Sequence, residues 1–170
     1  MKRLFLLTLV LCAMICALPG QTRPMWRTAT PEELESILPA RAPVDKERIE
    51  SEMRTASGII NDKGQMIASV LLITAGYAAD GKYSHYLLLQ SPMKLDNLQL
   101  GPGAYVLGWS RTAVGLEIHV FEAANVKERG VVLAKLMPQP RRVESFRIWA
   151  PEEQRLIQIG RYGLPYSLGN

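Results

Sequence analysis

The chain has 170 residues, of which 48% are hydrophobic and 21% charged, with a formal net charge of +4. Those proportions exclude a disordered or collagen-like chain and suit one globular domain. Losing residues 1–20 would remove Lys2 and Arg3 and no acid, so +4 falls to +2, too little to argue for nucleic acid.

The chain opens like a secretory signal peptide. Met1-Lys2-Arg3 is a basic start, Leu4 to Leu18 is apolar except for Thr8, and Pro19-Gly20 breaks the run. The apolar core is shorter than the roughly 20 residues that span a bilayer. Cleavage is expected after Ala17 or Gly20, with Gly20 preferred; a retained anchor is the alternative. Cys12 and Cys16, the only cysteines, lie in this segment and follow Leu11 and Ile15, where a lipoprotein signal would have a small residue. The expected product is a soluble, disulfide-free chain, secreted or periplasmic.

Residues 21–43 read as a tether carrying one short helix, either docked or free. Thr30-Pro31-Glu32-Glu33 has the spacing of a capping box with proline in the first turn. Leu34, Ile37 and Leu38 share a face at helical spacing, and Pro39 and Pro43 end the pattern. The main domain is assigned to residues 44–170. Asp45 to Arg54 is ambiguous, because Ile49 and Met53 suit a helix while Ile49, Ser51, Met53, Thr55 and Ser57 alternate. The spacing favours a helical or irregular entry to Arg54, then a strand from Thr55 to Ile60.

Asn61-Asp62-Lys63-Gly64 is a turn signature. Met66 to Thr74 follows as a strand buried on both faces, or as a buried helix. Ala78-Ala79-Asp80-Gly81 turns the chain into a strand from Tyr83 to Gln90. Leu95 to Leu100 is a short strand or a loop. Gly101-Pro102-Gly103 then opens a strand in which Tyr105, Leu107 and Trp109 alternate with Val106 and Gly108. In the next, Val114, Leu116, Ile118 and Val120 oppose Gly115, Glu117, His119 and Phe121. Glu128-Arg129-Gly130 is expected to turn, and Val131–Met137, Val143–Trp149 and Arg155–Arg161 are the remaining strands. Short strands joined by Gly, Pro and Asp turns predict an all-β fold, an antiparallel β-sandwich of about seven to nine strands after a short N-terminal helix.

Two stretches resemble the carboxypeptidase regulatory-like domains. ASGIINDKGQMIASVLLI is similar to their first hairpin, with Gly58, Asp62, Gly64 and Ile67 in the recurring places. AADGKY followed by LQLGPGAYVL is similar to the later part of the pattern, through Asp80, Gly81, Tyr83, Pro102, Gly103 and Tyr105. The resemblance covers roughly residues 56–111. It implies a prealbumin-like sandwich, found in secreted and cell-surface proteins, that supports or binds rather than catalyses.

Few common catalytic constellations can be assembled. No Ser occupies a Gly-x-Ser-x-Gly elbow, and Gly101-Pro102-Gly103 leads into a strand rather than a phosphate-binding helix. His85, His119 and Glu117 are the one set that could serve a small secreted metal-dependent hydrolase, the alternative reading. The aromatic residues carry the leading one. Tyr77, Tyr83, Tyr86, Trp109 and Trp149 are candidate binding residues, because exposed rings stack on sugars or anchor partner proteins; packing in the core is their other use. The basic cluster Arg141-Arg142, with Arg147 near it, is a solvated loop or a patch for an anionic partner. The expectation is an exported, non-enzymatic module without cofactor or metal, binding a protein, an envelope component or a glycan.

Overall fold

A computed structural model describes residues 25–138 and 142–169. The export segment and Arg141 lie outside the described residues. Thirteen strands and one helix follow in chain order: β1 (Trp26–Thr28), α1 (Pro31–Ile37), β2 (Arg41–Val44), β3 (Glu47–Asn61), β4 (Met66–Leu72), β5 (His85–Leu89), β6 (Met93–Leu95), β7 (Leu98–Leu100), β8 (Gly103–Arg111), β9 (Leu116–Glu122), β10 (Glu128–Leu136), β11 (Glu144–Ile148), β12 (Leu156–Gly160) and β13 (Tyr162–Leu168). All pairings are antiparallel.

The hydrogen-bonded path is one curled sheet in the order β1-β3-β4-β5-β8-β9-β10-β13-β12-β11, with β2, β6 and β7 attached beside it. The expected count of seven to nine strands is therefore too low, and the path is continuous where two stacked sheets were expected. The curl follows from the right-handed twist of strands, which accumulates across a wide sheet and brings its ends together.

Burial on the inside of the curl explains the alternation. Leu87 and Leu89 of β5, Leu107 of β8, Ile118 and Val120 of β9 and Ile157 and Ile159 of β12 form one inner core, closed by Met93, Leu95 and Leu100 of the β6–β7 hairpin. A second core lies on the outer face, where Leu34 of α1, Leu38 at its C-terminal end, Ala42 and Val44 of β2 and Ile49 of β3 cover Ala68, Val70 and Val106. Strand β4 is apolar on both sides because it lies between these cores, with Ile67 facing in and Met66, Ala68, Val70 and Leu72 facing out. Gly58 lets α1 approach: a Cβ there would lie 2.8 Å from Leu34 Cδ2 and 2.7 Å from the Ile67 carbonyl. At the start of α1 the Glu33 amide donates to Thr30 Oγ1 at 3.3 Å and the Thr30 amide to Glu33 Oε2 at 2.8 Å.

Several segments differ from the sequence expectation. Residues 47–54 are strand rather than helix, because the alternation buries Ile49 against β2 while charged neighbours point to water. Strands β1 and β2 occupy part of the stretch expected to be a tether. Residues 128–130 belong to β10 at a register shift, and the chain turns just before them at Ala123–Lys127. Strand β13 was not expected, its Gly163 and Pro165 masking the pattern, yet it pairs with β12, β10 and β6.

Candidate functional site

The five aromatic candidates do not form one surface. Tyr83 and Tyr86 are buried in the outer core, and burial raises the pKa of both phenols. Tyr77 packs beside them and its hydroxyl donates to the Arg48 carbonyl at 3.3 Å. Trp109 is half-buried and faces the inner core. Trp149 donates from Nε1 to Gln158 Oε1 at 3.0 Å, and its face is covered by the Arg147 guanidinium, 4.0 Å from the ring centroid.

The two histidines lie on opposite faces of the sheet. His85 alternates with Leu87 and Leu89 into the inner core, between Phe146 at 4.7 Å and Trp109 at 4.8 Å. Burial lowers its pKa to about 4, so the ring is neutral at ordinary pH. His119 faces outward on β9, opposite in sense to Ile118 and Val120, with Nδ1 at 2.7 Å from Glu128 and Nε2 at 3.3 Å from Glu117. The sheet separates His85 from Glu117 and His119. Among the described residues, no group of three His, Cys, Asp or Glu could hold a metal ion. No described helix is long and apolar enough to cross a membrane.

The structure brings a different set of residues together, at the seam where the curl closes. On the edge of β3 away from β4, β2 covers Glu47–Glu50 and β1 covers Ile59–Asn61. Between them, residues 52–57 have no ladder on that edge among the described residues. The β3–β4 register also shifts between Glu52 and Ser57. Thr55 holds this bulge, its hydroxyl donating to the Glu52 carbonyl at 2.7 Å and accepting from the Leu71 amide at 3.0 Å. A side chain thus replaces ladder bonds and turns the strand outward.

Strand β11, the end of the path, lies opposite this gap. The Ile148 amide donates to Ser57 Oγ at 2.9 Å, a side-chain latch across the seam rather than a ladder. Beside the latch the strands part to leave a cleft of about 250 Å³, walled by Thr28, Arg54 and Thr55 on one side and Glu144, Ser145 and Arg147 on the other. Phe146 lines it too, and its ring reaches inward to stack on His85.

The charges around the cleft are largely spoken for. Glu52 takes Arg54 at 2.9 Å, and Glu144 has Arg142 at 3.6 Å and Arg147 at 3.9 Å. Both guanidiniums face the same oxygen, Glu144 Oε1, which is buried and lies beyond hydrogen-bond distance of either. Sequence reasoning missed this site. The only local trace is that alternation fails at Thr55–Gly58, which marks a bulge without saying what lies opposite.

No protein-family model, no curated protein and no solved structure matches this chain.

Proposed function

We propose that the protein is an exported, non-enzymatic binding module that seats its ligand in the cleft between β3 and β11. The observation that carries this reading is the cleft itself, which opens between β3 and β11 where, among the described residues, neither facing strand edge has a ladder. The cleft offers hydroxyls, guanidinium groups and one aromatic floor, the mixture of apolar wall and few polar groups that small sites use.

Export rests on the basic start, apolar run and Pro19-Gly20 break of residues 1–20. The turn motifs that resemble carboxypeptidase regulatory-like domains support the same reading, because that resemblance implies a secreted sandwich that binds or supports. In such a frame, the two sides of the curl stand for the sandwich layers and the seam for its open edge.

Two measurements test the proposal. N-terminal sequencing of exported protein should begin at Gln21; a chain kept in the cytosol with Met1 in place sinks the export part. Screening envelope extracts, peptide arrays and glycan arrays should give a ligand whose binding is lost in Ser145→Trp, which fills the cleft from an exposed position. A ligand held equally well by that variant places the seat elsewhere.

A further inference from the structure

We propose that the ligand is an extended peptide segment of a partner protein, paired through its main chain to the free edge of β11. This rests on the reading of the seam cleft as the ligand seat.

Among the described residues, strand β11 pairs on one side only, with β12. Its other edge turns the Ile148 amide outward, where a serine hydroxyl is its partner. An outward amide held by a side chain is the kind of group an added strand recruits. The opposite wall cannot supply that strand, because β3 is bulged through residues 53–56 and leaves its ladder there. The gap is open from Glu52 to Ser57, between the stretches that β2 and β1 cover. Five residues of β11 offer an edge about 16 Å long at ordinary strand rise.

The lining favours a peptide over a sugar. Sugar seats use open aromatic faces. Here Phe146 is buried against His85, and the face of Trp149 carries Arg147. Arg54 pairs with Glu52, and Glu144 is shared by Arg142 and Arg147. A peptide backbone is neutral and brings donors and acceptors at regular spacing. Alternate side chains then face the cleft and the solvent, so specificity has a period of two.

A display library of linear heptapeptides, panned against the full-length protein, tests this. Ser145→Trp and Thr28→Trp, which block the cleft from opposite walls, serve as two independent counter-selections. The expected result is an enriched peptide. Its affinity falls at least tenfold when alternate backbone amides are N-methylated and survives methylation of the intervening ones. Binding should slow hydrogen exchange across residues 144–149. A selected peptide indifferent to N-methylation at every position overturns the proposal, as does a library with no enrichment over the blocked variants. A glycan-array ligand lost in both blocked variants also overturns the peptide assignment while leaving the cleft as a ligand seat. Peptide binding untouched by either blocking variant overturns both readings.

Discussion

From β4 to β9 the strands are joined edge to edge by ladders without a register shift, and both faces of the central strands are buried. Across the seam, β3 and β11 meet through one side-chain hydrogen bond beside an open cleft. The two regions share an inner core, since Phe146 of β11 stacks on His85 of β5. They differ in what holds them. The body is fixed by main-chain ladders and by apolar burial on both sides, while the seam has, among the described residues, one side-chain hydrogen bond and the inner-core packing of Ile59, Phe146 and Ile148, with no ladder. Local opening concentrates where buried contacts and protected hydrogen bonds are few. The seam is therefore the place where the sheet is expected to open first.

The largest expected effect sharpens the body side of this contrast. Leu87→Ala removes a fully buried side chain between ladders on both edges. Chemical denaturation should show a loss of about 2–5 kcal/mol. A loss under about 1 kcal/mol would mean that the laddered body is as loosely packed as the seam.

Acidification tests the link between the regions. The folded pKa of His85 is lowered to about 4 by burial, below its ordinary value of 6.5. The unfolded chain thus takes up a proton before the folded one does. The contribution of His85 is fully present above pH 6.5 and is lost as pH falls from 6.5 to 4. Two and a half units correspond to about 3 kcal/mol. Denaturation midpoints of wild type should decline through that window more steeply than those of His85→Phe. Parallel curves for the two proteins would show that His85 is not buried as described.

Ser57→Ala addresses the latch directly. It leaves the Ile148 amide without its partner, at a cost of about 1–3 kcal/mol. Native-state hydrogen exchange should quicken at Ile148 while the amides of Leu87 and Val106 hold their rates. Uniform quickening would make the seam part of one global unfolding unit. The smallest effect belongs to Arg54→Ala. Its side chain is 89% exposed and its partner Glu52 lies on the same strand, so the melting temperature should not move measurably. A clear drop would assign this pair a structural role at the bulge.

Local grammar was readable where a few neighbouring residues decide the outcome. Asn61-Asp62-Lys63-Gly64 turns as its composition directs, with Gly64 at φ 76° and Asn61 Oδ1 accepting from the Lys63 and Gln65 amides. The faces of β9 were readable because each inward residue is aliphatic and its neighbours are not. Asp45 to Arg54 was misread because its charges suit either element, and only the ladder with β2 selects the strand. The aromatic candidates were chosen for their type, and type does not reveal that Tyr83 and Tyr86 are buried or that Arg147 covers Trp149.

The sequence by itself determined the β character of the chain, most of its turns and the alternation that divides inside from outside, because these depend on residues two to five apart. Only the tertiary structure decided that one sheet would curl until its last strand met β3, since Ser57 and Ile148 are 91 residues apart and neither position carries a local sign of the other. The candidate site is a product of that closure. It exists where two edges arrive side by side and, for want of matching geometry, do not pair.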